Sequence, residues 1–139
     1  MSLRTLLRNR TLLSVLAVAL AVVVLLYLTD YQRKTSSAQN LLASWKLDEA
    51  ESILRSLVND HPSSVEARRM YAECLFKRGE LKKARDEYVA LLRFDSAQAS
   101  SHKLSLAFVH FFLGNLDTAS QLTSSAMIRA AADSTTMAR

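Results

Sequence analysis

A four-residue signature recurs three times along the chain, as Leu47-x-x-Ala50, Leu81-x-x-Ala84 and Leu116-x-x-Ala119, at spacings of 34 and 35 residues. A period in the mid-thirties confines a chain to an array of small helical units. One such unit cannot bury its apolar face alone, so neighbours stack, and three units are about the minimum for a stable stack. Residues 65–98, VEARRMYAECLFKRGELKKARDEYVALLRFDSAQ, form the clearest unit. Gly79 permits a tight turn between two helices. Ala72 and Ala84 allow those helices to approach closely, and Leu75, Leu81, Tyr88 and Leu92 fill the layer between them. The chain has only two glycines and one proline in 139 residues. With so few breakers and abundant Ala, Leu, Glu, Lys and Arg, the expected class is all-α.

The N-terminal region follows a different logic. Residues 11–29, TLLSVLAVALAVVVLLYLT, carry no charge, and twelve of the nineteen are Leu or Val. As a helix they rise about 28 Å, close to the roughly 30 Å hydrocarbon core of a bilayer. Valine is a poor helix former in water, but unpaired backbone in lipid costs far more, so a transmembrane helix is expected. Tyr27 and Tyr31 fall where an interfacial aromatic belt lies. The rival assignment, a cleaved signal peptide, meets two objections. The apolar run exceeds the usual length, and the Ala-x-Ala sites at 17–19 and 19–21 lie inside it. Ala17 and Ala21 have the small-xxx-small spacing of helix pairs in membranes, which an alanine-rich run also produces by chance.

The formal charge of +5 is local. Residues 1–34 carry +4, from Arg4, Arg8, Arg10, Arg33 and Lys34 against Asp30, and the remainder carries +1. A basic excess flanking an apolar run points to membrane topology, and the nearly neutral remainder gives no footprint for nucleic acid. The positive-inside rule then puts the N-terminus in the cytoplasm and residues 30–139 outside. That arrangement suits a bacterial inner membrane with the repeats on the periplasmic side. The expected organisation is a basic tail (1–10), a single-pass span (11–29), a repeat domain (30–133, in units of about 31–64, 65–98 and 100–133) and a short tail (134–139). No glycine or proline interrupts the chain before Pro62, so the span can run on as one helix to about Ser44. Ser36–Ser37 is the expected place for any break.

At these residues the chain resembles the tetratricopeptide repeat family, whose unit is an antiparallel pair of helices. The resemblance covers about residues 31–133. The third unit repeats the pattern with Ala107, Gly114, Leu116, Ala119, Ala126 and Met127, after one inserted residue near 98–100. The first shows Ala38, Leu41, Leu47, Ala50, Leu54, Leu57, Val58 and Pro62, but has Trp45-Lys46 where the family has its turn glycine. The family's terminal proline is replaced by Ser96 and Ala131 in the later units.

Nothing in the chain spells out a reaction. His61, His102 and His110 have no i, i+4 partner, and no His-Glu-x-x-His, phosphate loop or Gly-x-Ser-x-Gly elbow occurs. His110 aligns with Leu41 and Leu75, a core-edge position. Glu66 and Glu73 share a face with Arg69, an ordinary solvated arrangement. Cys74, the only cysteine, excludes an internal disulfide and reads as a small core residue. The expectation is therefore no enzyme, no metal and no cofactor.

Two surfaces remain as candidates for a protein or peptide partner. The resemblance implies a groove lined by the first helix of each pair. In the second unit its stripe is Glu66, Arg69, Glu73, Phe76 and Lys77; in the third, Ser101, Leu104, Phe108, Phe111 and Phe112; the first unit adds Gln39 and Leu42. The phenylalanines suit an apolar segment, and Arg69 and Lys77 suit an acidic one. The Lys and Asn pattern of chaperone-tail-binding members is missing. The other surface is the last helix, about 115–131, with Leu116, Ala119, Leu122, Ala126 and Met127 and only a short polar tail to cover them. Through it the chain would join a hetero-complex or oligomer. Two functions follow: a membrane-tethered interaction scaffold, or an accessory or assembly subunit packed into a larger membrane complex, of which an energy-converting or translocating one would be a plausible host.

Overall fold

The computed structural model describes the backbone of residues 3–137 and the side chains of residues 12–132. The helices are α1 (Leu3–Ala43), α2 (Leu47–Asp60), α3 (Val65–Lys77), α4 (Leu81–Phe94), α5 (Ala99–Phe112) and α6 (Leu116–Met137), and no strand occurs among the described residues. The chain divides into two compact units, Met1–Ser36 and Ser37–Arg139. Helix α1 passes through Ser36–Ser37 unbroken and ends at Ala43. At the other end α6 runs to Met137, beyond the expected limit near residue 131.

In the first unit, α1 carries one segment long and apolar enough to cross a membrane. Its side chains from Leu12 to Leu28 are all exposed. At its polar end Thr29 Oγ1 donates to the Leu26 carbonyl at 2.9 Å, and Asp30 pairs with Arg33 at 3.2 Å and Lys34 at 2.9 Å. These i+3 and i+4 partners lie on one helix face. The side chains of Arg4, Arg8 and Arg10 lie outside the described residues.

The second unit is a stack in which α2 packs on α3, α3 on α4, α4 on α5 and α5 on α6. Its helices stop and start for local reasons. Ser64, extended after Pro62, accepts from the Ala67 amide at 3.2 Å and caps α3. The first helix of every pair ends in the same Schellman closure. Glu80 N–H donates to the Leu75 carbonyl at 2.9 Å and Gly79 N–H to Phe76 at 3.0 Å; Asn115 and Gly114 repeat this on His110 and Phe111. Lys46 and Trp45 make the same two bonds to Leu41 and Leu42. Gly79 and Gly114 hold φ of 79° and 80°, and Trp45 holds 58°. The missing glycine is thus absorbed by a left-handed tryptophan, and the first pair closes like the others.

The central core joins Ala72, Leu75, Ala84, Tyr88 and Leu91 of the second pair to Leu106 and Val109 of α5. Leu54, Leu57 and Met70 are buried as well. Three polar clusters tie neighbouring helices together. Arg78 meets Asp48, Glu51 (3.2 Å) and Glu80 (2.9 Å). Arg68 binds Glu87 at 2.6 Å and the Pro62 carbonyl at 3.0 Å, and lies 5.3 Å from the Phe94 ring centre. His102, only 1% exposed, places Nε2 3.1 Å from Asp95 Oδ2.

Candidate partner-binding surface

On α3, Glu73 pairs with Arg69 at 3.7 Å and with Lys77 at 2.9 Å, so these three residues form an ion-paired row at i, i+4, i+8. Lys77 Nζ also lies 5.5 Å from the Trp45 ring centre. One unit along, at a shift of 35 residues, the same row on α5 is Leu104, Phe108 and Phe112. An ion-paired stripe has become an apolar one. The change extends over the whole pair: residues 65–98 carry fourteen charged side chains, and residues 99–132 carry three, Lys103, Asp117 and Arg129.

The apolar row opens into a groove of about 460 Å3 between α5 and α6. Leu104, Ala107, Phe108, Phe111 and Phe112 line it from α5, and Leu116, Ala119, Ser120 and Thr123 from α6. Phe108, Phe111 and Phe112 are 63%, 58% and 60% exposed. Phe112 sits edge-on to Phe111 at 5.6 Å and to Phe76 at 5.5 Å, so Phe76 of the second pair adjoins one of the groove's rings without lining it.

The candidate residues therefore separate. Leu104, Phe108, Phe111 and Phe112 share one groove, and Phe76 borders it. Arg69, Glu73 and Lys77 lie outside its lining, and both cations are engaged by Glu73. Leu42 is 4% exposed, which removes it from any open stripe, while Gln39 is exposed. The expected apolar face of α6 also divides. Ala119 and Ala126 are buried and Leu122 joins the core, whereas Leu116 and Met127 face out. Ser120 and Thr123 were not anticipated in the groove, although they stand at i+4 and i+7 from Leu116.

The titratable groups near the core are structural. Burial pushes the Cys74 thiol up to about 11, and its Sγ donates to the Leu47 carbonyl at 3.5 Å. The hydrogen bond from His102 holds the Asp95 carboxyl below the usual range, and burial raises Tyr88. Among the described residues no cluster of three His, Cys, Asp or Glu side chains gathers to hold a metal.

The tetratricopeptide repeat family matches residues 41–105. Among solved structures, the crystal structure of the tetratricopeptide repeat domain of FLU from Arabidopsis superposes with a TM-score of 0.66 at 14% identity, covering 73% of this chain and 95% of that one. At that identity the likeness concerns the fold alone. No curated protein matches the chain.

Proposed function

The chain belongs to the tetratricopeptide repeat family, and from that premise we propose that it is a membrane-tethered interaction module holding a segment of a partner protein in the groove between α5 and α6. Repeats of this family are interaction modules and typically non-catalytic. The observation that carries the proposal is the conversion of the Arg69-Glu73-Lys77 row into Leu104-Phe108-Phe112 beside an open, uncharged groove. Interface centres are poor in charge and rich in aromatic residues, and a few such anchors dominate binding. The apolar segment of α1 supports the tether, and the charge asymmetry around it supports a periplasmic repeat domain in a bacterial inner membrane.

The scarcity of charge over the whole of residues 99–132 favours a second reading, an accessory subunit whose last pair is packed into a larger membrane complex. Crosslinking capture from native membranes tests the groove. Phe108→Ala and Phe112→Ala should each weaken capture by about 2 kcal/mol, roughly thirtyfold. Both variants folding normally and capturing every partner as wild type does would refute it. Detergent extraction followed by sizing separates the two readings, since a subunit elutes as a stoichiometric complex. Protease shaving of intact spheroplasts tests the orientation, and a repeat domain that survives until lysis overturns it.

A further inference from the structure

The groove has an occupied counterpart within the same molecule. On the second pair, the seat formed by Ala72, Leu81, Ala84 and Tyr88 is filled by α5, which lays Leu106 and Val109 against it. On the third pair the equivalent positions are Ala107, Leu116, Ala119 and Thr123, and all four line the groove. Leu81 is half-buried, while its equivalent Leu116 is 59% exposed. The third pair therefore repeats a seat whose occupant, one unit earlier, is a helix.

We propose that the partner segment in this groove is an amphipathic α-helix of about fourteen residues, docked where the first helix of a next unit would lie. The inference rests on the groove reading above and names what the groove takes. Backbone chemistry argues for a helix over an extended segment. The polar side chains lining the groove are Ser120 and Thr123, and the Thr123 hydroxyl already donates to the Ala119 carbonyl at 2.9 Å. An extended segment would bury backbone N–H and C=O groups with almost nothing to receive them, whereas a helix pairs its own.

The stripe on α5 that turns into its own stack defines the docking face. Ala99, His102, Leu106 and Val109, at i, i+3, i+7 and i+10, are buried. The partner helix carries small or aliphatic residues at that spacing. Its flank is also apolar, because it meets Leu104, Phe108 and Phe112 where α3 offers ions. At fourteen residues it is about 21 Å long, the length of α5. The partner is thus a protein that exposes a short helix with a broad, uncharged face.

The test uses the full chain in detergent micelles and a labelled fourteen-residue peptide. The peptide carries Ala, Ala, Leu and Val at the four stripe positions, leucine on the flank and Lys/Glu elsewhere, stapled on its outer face to hold it helical. A control of the same composition carries a central proline. Anisotropy should show saturable binding of the stapled peptide and at least about tenfold weaker binding of the control, because proline breaks the helix. Ser120→Glu, at an exposed position, should weaken the stapled peptide by a similar factor by placing a charge in the seat. Equal binding of the two peptides, no binding of either, or indifference to Ser120→Glu overturns the proposal. A p-benzoylphenylalanine in place of Phe111 then reports on native membranes. An adduct to a second copy of this chain overturns the partner helix. Native capture that depends on Phe108 while the stapled peptide fails leaves the groove reading standing and removes the helix. Loss of both removes both.

Discussion

Ala84 and Ala119 are equivalent positions in successive pairs, and enlarging each by the same three carbons should have different consequences. Ala84 is 0% exposed and packed in the core that α5 closes, with Ala72, Leu75 and Val109. A leucine there has no void to enter, and overpacking of this kind costs about 1–3 kcal/mol. For a unit of about 100 residues each kcal/mol moves Tm by about 4–8 °C, so Ala84→Leu should lower Tm by about 4–24 °C. Ala119 is 8% exposed but borders the 460 Å3 groove, into which the added carbons can turn. Ala119→Leu should therefore cost less than about 1 kcal/mol, while filling the seat and weakening the stapled helix described above. Cys74 supplies the assay. It is the single thiol, it is buried, and with its titration pushed up to about 11 it is protonated and inert in the native state. Maleimide labelling against temperature in micelles then reads unfolding of the repeat unit alone. An unchanged Tm for Ala84→Leu would refute the close packing of the second pair. An equal loss at Ala119 would refute the open seat on the third pair.

Other consequences are simpler. Gly79→Ala meets no atom within 4 Å but keeps φ at 79°. The left-handed cost of about 1–2 kcal/mol, offset by about 0.4–1 from the stiffer unfolded chain, leaves a net loss near 1 kcal/mol in a thermal melt. Asp95→Asn should destabilise the unit at neutral pH. The native carboxyl titrates below its unfolded value, so its contribution is present above about pH 4 and disappears as pH falls through the native pKa. Melts of wild type and Asp95→Asn should therefore converge in acid, and a constant gap down to pH 2 would contradict this.

Much of this fold was legible because it depends on spacing. Small residues at Ala72, Ala84, Ala107 and Ala119 and glycines at 79 and 114 report packing and turns directly. The first helix boundary was less legible, because Trp45-Lys46 stands where the family has its turn glycine and a bulky residue at positive φ is uncommon. The backbone bonds from Lys46 and Trp45 nonetheless close the turn in the same pattern as at Gly79 and Gly114. The tertiary ion pairs were not legible. Arg78 with Asp48 lies thirty residues apart in sequence and Arg68 with Glu87 nineteen, and no local pattern selects one acid from the thirteen in the chain. The burial of His102 was not legible either, because its partner, Asp95, lies seven residues away in the loop before α5. The groove was half legible. Its α5 wall follows from the phenylalanine run, but the α6 wall needed the knowledge that Ala119 and Ala126 turn inward while Leu116 does not.

Those phenylalanines also bound what the groove can hold. Burying a whole aromatic side chain removes about 150–250 Å2, so three rings near 60% exposure offer about 270–450 Å2 to a partner. At about 25 cal/mol per Å2 this is about 7–11 kcal/mol before losses. Association itself costs about 4–15 kcal/mol in lost freedom. The rings alone therefore roughly balance the cost of docking, and a stable complex requires the rest of the seat, from Leu104 to Leu116, to be covered as well. A single side chain or a short loop inserted among the rings would bury too little. A helix the length of α5, lying along both walls, reaches them all. If the chain is tethered and its partner shares the membrane, the docking becomes a local encounter, and a modest surplus is then enough to keep the pair together.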